Sequence, residues 1–308
     1  ITSGKYKLLS DFQFLSVVQY DHLGENMFAL ECSLNDGTTT GRYNSGNLLN
    51  VPCGPGYGGD DFFKPSQHLV NSYRTDENGL PLFNTFNDLN ILTRTDGLKN
   101  NVDPRLDFSI GRDSIRWKTW TVDFYKSNTW NREPSTYGRF GCKKFLVSPE
   151  SPDMAKGWPW GASALNFAFM RYADVLLMKA EALIELGRQD EAVDPINQIR
   201  QRAKNSAYVK DWINPNEYAA KYVIDVYKPG INCVWTQTYA REALRFERRL
   251  ELCMEGNRFF DLTRWGIAGD YLNNKYFPKE KALRTYYSGS NFTVGKDEYL
   301  PIPTTENS

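Results

Sequence analysis

Five of the eight tryptophans, Trp117, Trp120, Trp130, Trp158 and Trp160, fall between positions 117 and 160, with Tyr125 and Tyr137 among them. Core aromatics follow a helix or strand period, whereas these stand beside Lys, Asn, Arg, Ser and Pro in loop-like sequence. A sugar ring presents a flat patch of C–H bonds ringed by hydroxyls. An aromatic face stacks on the patch, while neighbouring amides and guanidinium groups take the hydroxyls. Burying one such face contributes roughly 1–3 kcal/mol, so two or three platforms supply micromolar-to-millimolar affinity. Trp117, Trp120 and Trp130 are the expected platforms, with Tyr125 and Tyr137 beside them. Arg116, Asn128, Asn131 and Arg132 are the expected hydroxyl partners. Trp158 and Trp160, in GWPWG just before Asn166, are expected to pack against the following helix. The competing assignment for every one of these rings is an anchor that packs a long loop.

A second constellation is acidic. Glu247, Glu251 and Glu255 recur every four residues, interleaved with Arg245, Arg248, Arg249 and Arg258. Paired carboxylates at a fixed distance suit glycoside hydrolysis. Like charges at that spacing repel unless matched, and the surrounding arginines make a structural ion-pair network the expected role. Asp103 and Arg105, in DPRL, are read as a turn held by an Arg–carboxylate contact. His22 and His68 are too isolated in sequence for a metal or triad site. The glycine-rich stretch at 54–59 lacks the Lys-Ser/Thr of a phosphate loop and is read as a flexible connection. Asp60 and Asp61 beside it could touch a sugar or calcium, helix capping being the expected job. Cys32, Cys53, Cys142, Cys233 and Cys253 form no C-x-x-C pair, so neither a disulfide framework nor a zinc site is indicated. Cys253 is expected as a small buried hydrophobe on a helix.

The elements that must hold these groups lie mainly in the second half. Phe169, Tyr172, Val175, Leu176, Ala180 and Leu183 form one apolar stripe at spacings of three and four, predicting a helix from about Asn166. Gly187 ends it. Ala192, Val193, Ile196, Ile199 and Ala203 give the next stripe, so the pair is a helical hairpin resembling a tetratricopeptide repeat. A lone repeat cannot bury its own face and is expected to stack on helices that precede this sequence on the N-terminal side. A third helix is predicted from about Thr238 to Glu255, and Gly256 separates it from a shorter one through Trp265. Upstream, one or two short strands are predicted within residues 12–34, loop over 35–60, and a short helix within 60–73 with Ser66 or Asp61 as its cap. Residues 75–165 are rich in turn signals without a sustained helical period, a length that points to functional loops. The chain is divided accordingly into a loop-rich part, 1–165, carrying the candidate binding face, and a helical part, 166–308, packed on the same core.

With 37 basic and 37 acidic residues and no basic run, the chain lacks the concentrated cationic face that nucleic-acid binding requires. Nor does any stretch approach the roughly 18 apolar residues of a membrane span.

Three motifs in order carry a resemblance to a known family. They are RYADVLLMKAEAL at 171–183 with INQIRQRA at 196–203, then ERRLELCMEGNRFFDLTRWG at 247–266, then YLPIP at 299–303. FFKPSQHLV at 62–70 and DPRL at 103–106 match more weakly. Together these closely resemble the SusD/RagB family of surface nutrient-binding lipoproteins of Bacteroidota-type bacteria. The resemblance implies a mainly α, SusD-like fold with tetratricopeptide-like hairpins, long irregular loops and a few short strands. It implies a non-catalytic glycan binder, without cofactor, that passes oligosaccharide to a SusC-like TonB-dependent transporter at the outer face of the outer membrane. Family members begin with a lipoprotein signal, a lipid-bearing Cys and an N-terminal repeat region, whereas this chain opens ITSGKYKLL. It is therefore expected to be the C-terminal part of a longer protein, anchored through a lipid outside this sequence. The alternatives are a glycoside hydrolase, and a SusD-like binder of peptides or glycopeptides.

Overall fold

The computed structural model describes residues 4–38, 41–46, 48–54, 56–117, 130–158 and 160–301. The fold is mainly helical. Its centre is the hairpin of α5 (Tyr172–Glu185) and α6 (Gln189–Asn205), with α7 (Gln237–Glu251) packed against both. The predicted stripes account for this packing. Tyr172, Leu176, Ala180 and Leu183 of α5 and Ala192, Ile196 and Ile199 of α6 are buried together with Ala240, Ala243 and Leu244 of α7. Small residues at Ala180, Ala192, Ala240 and Ala243 let the helices approach closely. Gly187 turns the hairpin at φ +74°, where a side chain would be strained.

Two helix limits differ from expectation. Residues before Tyr172 are not helical: Phe167–Arg171 forms strand β5, antiparallel to β1 (Asn26–Leu30), with Phe28 opposite Met170 and Leu30 opposite Phe167. Phe169 therefore leaves the helical stripe and faces out from the sheet. A run of Phe and Met with a partner strand available favours the ladder over another helical turn. At the other end α7 stops at Glu251, because Met254 and Gly256 adopt φ of +60° and +85°. Cys253 is buried beyond that helix end, its Sγ 2.9 Å from Tyr73 Oη. All five cysteines are free thiols.

Upstream elements are short. They are α1 (Gln67–Asn71), α2 (Arg94–Lys99), β2 (Asn101–Val102), α3 (Arg105–Ser109), β3 (Ile110–Gly111), α4 (Pro134–Tyr137) and β4 (Gly141–Cys142). Ser66 caps α1 by accepting from Leu69 N, as predicted. β3 pairs with β4, and β2 runs parallel to β6 (Lys221–Tyr222). These loops are packed onto the helices. Val70, Tyr73, Phe86 and Leu106 share one cluster with Phe246 and Leu250 of α7. Phe12, Leu15 and Phe108 share another with Val209 and Ala219.

The chain divides after Met254 into two compact units, whereas residues on either side of 165 share clusters. The second unit holds α8 (Asn257–Arg264), α9 (Ala268–Tyr271), a π-helical turn at Leu272–Tyr276 and α10 (Phe277–Lys281), around Leu262, Ala268 and Phe292. Tyr299 and Leu300 of the YLPIP string are exposed, and Ile302 and Pro303 lie outside the described residues.

Candidate functional site

The paired glutamates sit in a buried charge network, not at a surface. Arg105 grips Asp103 with two parallel bonds (3.0 and 2.8 Å) and donates to Glu247 at 2.5 Å and Glu251 at 3.3 Å. Glu251 also accepts from Arg202 (2.5 Å) and Arg171 (3.2 Å), and Glu247 from Arg200 (3.0 Å). Glu25 bridges Arg171 (2.6 Å) and Arg202 (3.1 Å). Lys144 donates to the carbonyl of Glu251. Burial opposes ionisation of Glu251, yet Arg202, Arg171, Arg105 and Lys144 together hold its carboxyl down to about 2. DPRL, the start of RYAD and the ERRLE helix thus meet at one point.

The expectation of an ion-pair network is met, but with different partners. Neighbouring Arg248 and Arg249 turn away, to Asp174 and to buried His68 respectively. The true partners from α6, Arg200 and Arg202, escaped the sequence reading although a signal was present. Arg200 follows Ile196 by four and Arg202 follows Ile199 by three, which places two cations on a buried stripe. Glu25 and Lys144 gave no such signal.

The aromatic loops are arranged in the reverse of expectation. Trp117 and Trp130, expected as ligand platforms, are fully buried in a cluster with Val51, Tyr57, Leu146 and Met154. This corrects their assignment. Loops without a helical or strand period need some large apolar anchor, and an indole buries more surface than any aliphatic chain. The Tyr57 ring lies 5.7 Å from Trp117, and Tyr57 Oη donates to Val147 O at 2.5 Å. Beneath Trp117 the ammonium of Lys143 donates to the carbonyls of Asp107 (3.0 Å) and Arg116 (2.8 Å), and burial pushes its pKa down to about 7. Trp120, Tyr125 and Asn128 lie outside the described residues.

Trp158 and Trp160, expected to pack on the helix, are instead 82% and 47% exposed. Strand β5 intervenes and carries the chain away from α5 before the loop is reached. The loop is a narrow hairpin in which Ala155 N donates to Ala162 O (2.8 Å) and Ala164 N to Asp153 O (2.9 Å). Gly157 and Gly161 bracket the two indoles at φ of +94° and +75°. Its base is fixed to the rest of the face by the bond from Asn44 N to Ser163 O, 2.8 Å. Gly58 lies against the Trp160 indole, where a Cβ would stand 3.4 Å from Cδ2, and Gly59 and Gly161 both rest on Val51.

Phe62 is 55% exposed, and the Arg132 guanidinium lies 4.5 Å over its ring while donating to Asp60 at 3.2 Å. Asn131, expected to reach a ligand, is buried, and its Oδ1 accepts from Lys64, which also pairs with Asp61. Asp61 is thus the buried partner of Lys64 and not the cap of α1. Its backbone is left-handed at φ +51°, and Arg132 N donates to its side chain at 3.1 Å. Tyr137 is partly exposed on α4, and Arg116 stands 5.6 Å over the Trp212 ring. Among the expected residues, the structure brings Trp117 and Trp130 together in one buried cluster. Trp160 lies against Gly58, and Arg132 lies over Phe62.

A helical hairpin is locked by a buried Arg–Glu network, and the loops around it carry exposed aromatic side chains. The sequence model of the SusD family matches residues 24–308, and the chain belongs to that family. SusD-like protein P38 of Formosa agariphila is 36% identical over 107 residues, covering 33% of this chain and 18% of that protein. A SusD-like carbohydrate binding protein from Bacteroides fragilis superposes with a TM-score of 0.65 at 20% identity, covering 99% of this chain and 57% of the other. A laminarin binding SusD-like protein gives a TM-score of 0.53 at 20% identity, covering 99% and 52%. These likenesses establish the fold. The chain spans about half the length of such solved structures. Among the described residues no helix is long and apolar enough to cross a membrane.

Proposed function

We propose that the protein is a non-catalytic cell-surface glycan binder. It captures oligosaccharides with its loop face and hands them to a SusC-like TonB-dependent transporter, lipid-anchored in the whole protein at the outer face of the outer membrane. The observation that carries this reading is the pair of indoles at 158 and 160, held out on a hairpin whose base is pinned to a buried aromatic cluster. A rigid support matters because a platform fixed before binding loses little entropy on binding. Phe62, 55% exposed with the Arg132 guanidinium over one face of its ring, supplies a second candidate surface, and Tyr137 belongs to the same set of candidates. The names of two structural neighbours, carbohydrate binding and laminarin binding, support a sugar as the ligand class. Binding without turnover is supported by the fate of Glu247 and Glu251. Both are wholly buried and matched by guanidinium groups, so no substrate can reach them as acid or base.

Affinity electrophoresis and calorimetry against laminarin, starch, xylan and mannan, with peptides alongside, test the reading. Trp158→Ala with Trp160→Ala is expected to weaken binding of the recognised glycan at least tenfold, since each ring contributes about 1–3 kcal/mol. Unchanged affinity removes these rings from the site. Binding to peptides alone, or release of reducing sugar abolished by one carboxylate substitution, overturns the glycan-binder reading.

A further inference from the structure

A cleft of about 360 Å³ opens where the chain enters β1, lined among others by Lys5, Asp21, His22, Asn26, Phe28 and Glu31. It shares none of its lining residues with the loop face described above. Its volume falls in the range of roughly 300–1,000 Å³ typical of small-molecule sites. Gly24 shapes one wall. At φ +100° its backbone carbonyl accepts from Lys7 N at 3.0 Å, and a Cβ there would press on Lys5 O at 3.3 Å.

The two carboxylates are organised from behind by one buried residue. Asn166 donates its backbone N–H to Asp21 Oδ2 at 2.8 Å and its side-chain amide to Glu31 Oε2 at 2.9 Å. Its own Oδ1 accepts from Cys32 N at 2.8 Å, which fixes the amide's orientation. His22 Nε2 stands 3.4 Å from Glu31 Oε2, and Asn26 Nδ2 donates to the carbonyl of Asp21 at 3.2 Å. Two acids held by the backbone and the side-chain amide of one asparagine, with donors beside them, form a preorganised hydrogen-bonding edge. Next to that edge lies an aromatic surface. Phe28 is 63% exposed and Phe169 59% exposed, with ring centroids 5.3 Å apart and planes tilted by 31°. Aromatic faces this open, bordering a polar cleft, match the two surfaces of a sugar ring: apolar C–H face and hydroxyl rim.

We propose that this cleft is a second carbohydrate subsite, taking one neutral hexose unit stacked on Phe28 with its hydroxyls donated to Asp21 and Glu31. The proposal rests on the glycan-binding reading and deepens it: one glycan engaged at two separated places gains avidity without any stronger single contact. A uronate or sulfated unit is disfavoured, because its charge would face both carboxylates, with Lys5 and His22 as the basic groups among the described lining residues.

The test uses calorimetry with laminarihexaose, cellohexaose and mannohexaose as neutral probes and oligogalacturonate as the anionic one. The variant Phe28→Ala with Glu31→Gln changes two exposed side chains, so its melting temperature should stay within about 2 °C of the parent. It is expected to weaken the preferred neutral probe at least fivefold, while Phe28→Tyr, which keeps a ring, retains affinity. The loop variant Trp158→Ala/Trp160→Ala should keep a residual affinity that the added cleft substitutions abolish. Parental affinity in the cleft variant, or a preference for oligogalacturonate, overturns the cleft alone and leaves the loop reading standing. Absence of any glycan binding by the parent protein, neutral or anionic, overturns the glycan reading itself.

Discussion

Replacing Glu251 by Gln removes one charge from the centre of the fold while keeping its shape. Around that carboxylate stand Arg105, Arg171, Arg202 and Lys144, with Arg200 one glutamate further on. The anions that answer them are Asp103, Glu25, Glu247 and Glu251. Gln still accepts hydrogen bonds but leaves guanidinium groups buried against each other without their counter-ion. Removing one member of a buried ion pair costs about 3–5 kcal/mol, far more than the net worth of the pair against an apolar replacement. In a unit of this size each kcal/mol moves the melting temperature by about 2–4 °C, so a fall of roughly 10 °C is expected. Urea unfolding at pH 7 followed by far-UV circular dichroism reads the free energy, and a thermal melt reads the shift. The acid limb gives a second, independent readout. The folded carboxyl titrates near 2 against an ordinary 4.5, so its contribution is complete above about pH 4.5 and lost as pH falls towards 2. A carboxyl held that low contributes on the order of 3 kcal/mol. The parent should therefore lose stability steeply across that window, and the Gln variant should show a shallower slope there. A loss under about 1 kcal/mol at pH 7, together with an unchanged acid profile, would refute the view that this network carries the scaffold.

Further outcomes follow from the buried loop anchors. Trp117→Ala and Trp130→Ala should each destabilise the fold by about 3–5 kcal/mol through the cavity left behind, measured by urea unfolding; melting unaltered from the parent would put these indoles outside the core. Gly141→Ala would place a Cβ 2.6 Å from Cζ3 of the packed Trp130 indole, and overpacking there should cost about 1–3 kcal/mol in the same assay. A Gly141→Ala protein as stable as the parent would show that the indole yields freely.

Local periodicity decided the helical half. Apolar spacings of three and four residues, a glycine at φ +74° and a run of small side chains dictate a hairpin wherever they occur, because each acts within a turn or two of chain. That is why α5 to α7 were legible as elements, although α5 begins at Tyr172 instead of near Asn166 and α7 ends at Glu251 instead of Glu255, and why the family motifs lie there. The Arg–Glu network was legible as a kind of interaction but not as a set of partners. Glu25, Arg105, Arg171 and Arg202 come from four separate stretches, and no local rule pairs residues that far apart.

The aromatic loops show the opposite case. A tryptophan in aperiodic sequence has the same composition of neighbours whether it anchors the loop or projects from it. Trp117 and Trp130 went inward because Val51, Tyr57, Leu146 and Met154, all distant in sequence, close around them. Trp158 and Trp160 went outward because β5 pairs with β1 and only the base of their hairpin, at Met154 and Gly161, meets the buried cluster. The amino-acid sequence by itself therefore determined the helical scaffold, the family and the supply of aromatic rings. Only the tertiary structure decided which rings face solvent, since burial depends on what the rest of the chain brings to the other side of each indole.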